Sequence, residues 1–124
     1  MNFNEYQKAA MSTAIFKGAG DRLSYPALGL AGEAGEVAGK IKKLDRDFDI
    51  LAASDMTAER PEQRQYELVK LTKALHAELG DALWYLAVLA ETLGTSLEQI
   101  ATENVQKLLS RAERGVIKGS GDTR

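Results

Sequence analysis

The chain contains no cysteine, so a disulfide framework, a thiolate nucleophile and a zinc site built on sulfur are all excluded. It contains one histidine, His76, with no second imidazole or acidic companion at ligand spacing. His76 therefore reads as structural or exposed, and a di-iron site of paired Glu and His on two helices has no support. Serine and threonine side chains have no second base to activate them, which removes a nucleophilic triad. Proline occurs only twice, and no repeat, low-complexity tract or alternating apolar pattern is present, which argues against both disorder and a sheet. Long apolar runs are missing too: the longest, residues 82–90, lies between Asp81 and Glu91 and is about half of a bilayer span, so it belongs in a core. The N-terminal residues lack the apolar run of a signal peptide, and a cytoplasmic location is expected. Charge of one sign is also scarce. A net charge of -2 gives no general attraction to nucleic acid or to an acidic membrane, so any anion must be met by a local basic cluster.

What is present reads as helix, in a chain of 124 residues that has the usual length of one domain. Phe3, Tyr6, Ala10, Thr13 and Ala14 recur at helical spacing and predict a first helix over roughly 3–16, closed by Gly18 and Gly20. Ser24-Tyr25-Pro26 predicts the start of a second helix running from about 26 to 45, because Ser caps free amides and Pro is tolerated in the first turn. Gly29, Gly32, Gly35 and Gly39 fall inside it, each costing up to about 1 kcal/mol against Ala, so a close approach by another backbone or a ligand is expected there. An acidic connection follows, roughly over 46–64. A third and longest helix is predicted from Pro61 to Thr92, stopped by Gly94. It is apolar on every side over 82–90, which requires cover from several directions and suggests a second subunit. Ser96-Leu97-Glu98-Gln99 reads as a capping box that opens a fourth helix to about Arg114, before a flexible basic tail over 115–124. The expected fold is an all-α, bundle-like domain of four to five helices.

Two acidic pairs stand out, Glu33 with Glu36 and Glu78 with Asp81, each spaced i, i+3. That spacing puts both carboxylates of a pair on one face, one turn apart, where they can share a cation. Chance pairs such as Glu59 and Glu62 sit among Arg60 and Arg64, as a solvated surface requires. The other two interrupt apolar surface, where like charges are unfavourable unless a cation compensates. Hard oxygen ligands suit Mg2+, with Mn2+ as substitute, and those ions retain waters that substrate phosphates can replace. At about 100° per residue, Lys40 and Lys43 fall on the stripe of Glu33 and Glu36 and can screen the carboxylates or hold a phosphate. Tyr85 lies one turn beyond Asp81 on the same face and Trp84 about 60° away; either can line a nucleotide pocket or simply pack in the core. Asn104, Lys107 and Arg111 share a stripe on the fourth helix that, taken alone, is a solvated face.

The runs Leu28-Gly29-Leu30-Ala31-Gly32-Glu33-Ala34-Gly35-Glu36-Val37 and Glu78-Leu79-Gly80-Asp81-Ala82-Leu83-Trp84-Tyr85 resemble the two signature segments of MazG-like nucleotide pyrophosphohydrolases. The likeness extends to Tyr6-Gln7, to Asn104-Val105-Gln106-Lys107-Leu108 and Arg111, and into the tail. The resemblance implies an all-α, magnesium-dependent enzyme that converts nucleoside triphosphates to monophosphates and pyrophosphate. Glu33, Glu36, Glu78 and Asp81 match its metal and catalytic positions, and Lys40, Asn104 and Lys107 match phosphate or metal-shell contacts. It also implies a homodimer or homotetramer with the active site near a subunit interface. The stretch between the pairs, 37–77, is longer than is usual in that family. Two other readings stand beside this one: a non-catalytic helical module for oligomerisation or regulation, and a pyrophosphohydrolase for a dedicated substrate such as a phosphoribosyl-nucleotide or an alarmone.

Overall fold

A computed structural model describes residues 1–15, 21–48 and 61–116. Among them are four helices and no strand: α1 (Phe3–Met11), α2 (Asp21–Phe48), α3 (Pro61–Thr92) and α4 (Leu97–Glu113). The all-α expectation holds. Most of the acidic connection and of the basic tail lies outside the described residues.

Helix α1 starts on a full capping box, in which Asn2 Oδ1 accepts from the Glu5 amide at 2.8 Å and the Asn2 amide donates to Glu5 Oε2 at 3.0 Å. It stops at Met11, short of the expected extent. The Ser12 and Thr13 hydroxyls donate back to the carbonyls of Ala9 and Ala10 at 2.7 and 2.8 Å, competing for the acceptors that a longer helix would use.

Helix α2 begins five residues earlier than expected, at Asp21, so Pro26 lies inside it and not in its first turn. A proline there removes the amide that would bond the Arg22 carbonyl. The Thr92 hydroxyl of α3 shares its one proton between that carbonyl at 3.0 Å and the Val88 carbonyl of its own helix at 2.9 Å, while the Pro26 ring is fully buried. The repair comes from a residue 70 positions away.

Helix α3 matches its expected bounds, starting on Pro61 and ending at Thr92, just before Gly94 at φ 71°. The amides of Thr95 and Gly94 donate to the carbonyls of Ala90 and Glu91, both at 3.0 Å, the pairing that closes a helix around a left-handed residue. Gly115, at φ 68°, ends α4 in the same way through Val116 and Arg111. At the start of α4 the Ser96 side chain accepts from the Gln99 amide at 3.1 Å. The Gln99 side chain turns instead to Glu103, so only half of the expected box forms.

Helices α2 and α3 form a long antiparallel hairpin, and α1 and α4 pack on α3; among the described elements α2 meets α3 alone. Ala10, Ala87, Ala90 and Leu97 form the core, with Tyr6, Leu83 and Trp84 against it. The side chain of Gln7 ties α1 to both other elements of this end: it donates to Glu91 Oε2 at 2.8 Å and to the Thr95 carbonyl at 3.1 Å, and accepts from the Leu97 amide at 2.8 Å. Thus the apolar stretch of α3 is covered at Ala87, Val88 and Ala90 by the chain itself, whereas Leu79 and Leu86 remain exposed. No helix among the described residues is long and apolar enough to cross a membrane.

Candidate functional site

The antiparallel pairing of α2 with α3 brings together residues that the sequence separates by more than forty positions. One carboxylate oxygen each from Glu33, Glu78 and Asp81 lie within 4.8 Å of one another. Glu36, the fourth acid, lies outside this group. Its carboxylate accepts from Lys40 Nζ at 3.1 Å, one turn along the same helix, and its side chain is 62 % exposed. Lys40 is shared: its ammonium also lies 2.8 Å from Glu78 Oε1, whose side chain is largely buried.

These contacts divide the acids electrostatically. The Lys40 ammonium holds the Glu78 carboxyl below its usual range, against the opposing effect of burial. Glu33 is pushed up, first by loss of solvent, then by its hydrogen bond with Glu78 and by the charges of Asp81, Glu78 and Glu36. A carboxyl raised by its acidic neighbours is one that a cation would relieve. Asp81 also faces α1: burial, then the charge of Asp81, raises the Tyr6 hydroxyl.

On the N-terminal side of α2 the groove becomes aromatic. The Tyr85 ring lies over Gly29, where any Cβ would run into it, so this glycine is required by a close approach of a side chain. Tyr25 adjoins Tyr85 with ring centroids 6.1 Å apart, and a hydrogen bond with Tyr25 is the leading cause that raises the Tyr85 hydroxyl. Glu33 and Asp81 add to that rise, which places the aromatic wall beside the carboxylates. Trp84 meets Tyr85 edge-on at 5.0 Å. Its indole turns away toward α1, donating to Thr13 Oγ1 at 2.8 Å and packing on the core. Of the two aromatic candidates, Tyr85 therefore faces the groove and Trp84 supports it.

The remaining candidates separate by element. Lys43 lies one turn beyond Lys40 and lines the continuation of the groove. Asn104 and Lys107 are exposed on α4, which has no contact with α2, the helix that carries Glu33 and Glu36. Arg111 is 6 % exposed and engaged within the chain. His76 is exposed, as expected. Tyr25, which in sequence belongs only to a helix start, joins the groove as well. Its spacing of one turn from Gly29 and two from Glu33 was the available signal.

Among the described residues every regular element is a helix, and the central hairpin gathers carboxylates beside lysine and tyrosine. The family model for the MazG nucleotide pyrophosphohydrolase domain matches residues 25–116, and the chain belongs to that family. It is also 45 % identical, over 129 aligned positions that cover 100 % of both chains, to the "Gene 37 protein" of Mycobacterium phage L5. No solved structure matches it.

Proposed function

We propose that the protein hydrolyses nucleoside or deoxynucleoside triphosphates, adding one water across the bond between the α- and β-phosphates to release a monophosphate and pyrophosphate. The observation that carries this reading is the convergence of Glu33, Glu78 and Asp81 within 4.8 Å, with the Glu33 carboxyl raised by loss of solvent and then by its acidic neighbours. Three carboxylates supply hard oxygen donors and leave room in an octahedral shell for water and phosphate, which fits magnesium. Bound there, the cation would lower the pKa of a water and offset charge on the phosphate oxygens.

The chain's own residues then divide the work. Glu33, Glu78 and Asp81 hold the cation. Glu36, exposed at the edge of the cluster, accepts the proton of the attacking water. Lys40 neutralises Glu36 and Glu78 in the free protein and turns to a phosphate oxygen when substrate enters. Tyr25 and Tyr85 offer a wall for the base, with Tyr85 fixed by Gly29 beneath it and Trp84 beside it. A second copy of the chain belongs to this reading, in which its α4 brings Asn104 and Lys107 to the carboxylates.

The test is product analysis across a panel of canonical, deoxy and modified triphosphates, each with magnesium or manganese and with a chelator. Monophosphate and pyrophosphate, formed only with the metal, are expected. Release of single phosphates, or turnover unchanged by the chelator, would overturn the mechanism, and no turnover on any member would favour a non-catalytic module.

A further inference from the structure

Beyond Lys40 the groove between α2 and α3 opens into a cleft of about 230 Å³. Leu44, Leu71 and Ala74 line it, and three lysines reach it: Lys40 and Lys43 from α2 and Lys70 from α3. Two acids also border it. Asp47 is gripped by Arg46 at 2.6 and 2.9 Å, and half-buried Glu67 lies 3.7 Å from exposed Lys70, a long pair that leaves the Lys70 ammonium further donors for an anion. Lys43 has no ion-pair partner among the described residues. Ammonium groups beside apolar side chains are less screened than in open water and attract an anion more strongly.

The order of chemistry along the hairpin is therefore fixed by its register. Tyr25 and Tyr85 come first, then Glu33, Glu78 and Asp81, then Lys40, then Lys43 with Lys70. From Glu36 to Lys43 is two helical turns, about 10 Å along the axis. Resting on the pyrophosphohydrolase reading, we propose that this cleft binds the terminal phosphates of the substrate and the diphosphate that leaves. The triphosphate then lies along the groove with its base toward Tyr25 and its γ-phosphate toward Lys43 and Lys70. Lys70 becomes a binding residue by this assignment, and the polarity of the bound substrate follows from it.

Calorimetric titration of pyrophosphate and of a nucleoside monophosphate, each with magnesium present, tests the proposal on the parent, on Lys70→Gln and on the Lys43→Gln, Lys70→Gln double variant. Both lysines are exposed, and melting curves verify that the variants fold. The double variant is expected to weaken pyrophosphate binding by about tenfold, as for the loss of two partly screened ion contacts, and to leave the monophosphate within about twofold. Lys70→Gln alone should give part of that loss. Unchanged pyrophosphate binding would overturn the proposal, and so would a loss confined to the monophosphate, which would reverse the polarity. A parent that cleaves triphosphates while the double variant binds pyrophosphate normally would sink the cleft and leave the proposed function. A parent that cleaves none, yet binds pyrophosphate through these lysines, would do the opposite.

Discussion

Glu33 is the residue on which the electrostatics of the site converge, and its behaviour with pH follows from the direction of its shift. Its carboxyl is raised in the folded chain above the ordinary value of 4.5, so the fold disfavours its charged form. That penalty is absent below the ordinary value and grows as pH rises through the raised one, because the native state then binds more protons than the unfolded state. Glu33→Gln removes it. The metal-free variant should melt above the parent at pH 7 and level with it near pH 3.5. A variant less stable than the parent at pH 7 would mean that Glu33 anchors a structural contact. Glu78 has the opposite sign: the Lys40 ammonium stabilises it above its ordinary value, and this contribution is lost as pH falls through the depressed one. The i, i+3 spacing made the four acids visible in sequence. It did not show that Glu36 would turn to Lys40, because that depends on which way one exposed side chain swings.

At the scale of the elements, local signals located α3 and α4 and misjudged the ends that distant residues decide. Pro61, Gly94 and Ser96 act within their own turns, so those boundaries were legible. In sequence Pro26 reads as a first-turn residue, because its missing amide is harmless there. What lets it sit deeper is the Thr92 hydroxyl, which no local pattern reveals. The end of α1 is likewise set by Thr13, which also holds the Trp84 indole on α3. Gln7 carries no sequence signal for its place as the clasp between α1, α3 and α4. The residue is 6 % exposed and its side chain makes three hydrogen bonds, one of them accepted from the Leu97 amide at the open start of α4. Gln7→Ala should destabilise the fold by about 1–3 kcal/mol, lowering the melting temperature by several degrees. A melting temperature equal to the parent's would show that the clasp contributes nothing.

For the whole molecule, one chain leaves too much apolar surface in water. Leu28, Leu79, Leu86 and Leu93 are exposed, as are Val105, Leu108 and Leu109 on α4. An added Cβ at Gly32, Gly35 or Gly39 would meet nothing within 4 Å, so the glycines that α2 carries beyond Gly29 have no crowding to explain them inside one chain. A second copy packed against these residues would account for both features. Sedimentation at micromolar concentration should give a dimer or larger, and a monomer would contradict it.

Stability of the folded molecule also reports most directly on whether the converging carboxylates form a cation site. Asp81→Asn keeps the shape of the side chain and removes one charge from the cluster. With chelator, the variant should melt level with the parent or above it, because crowded like charges disfavour the compact state. Magnesium should raise the parent's stability by roughly 2.7 kcal/mol at a hundredfold excess over its Kd, and the variant's by clearly less. Hydrolysis by the variant should fall further than the roughly 10–100-fold typical of an outer-shell change. Melting curves of both proteins, each with chelator and with magnesium, give the answer in one experiment. If Asp81→Asn lowers the metal-free melting temperature and leaves the magnesium effect intact, Glu33, Glu78 and Asp81 are a structural cluster and the account of the site is wrong.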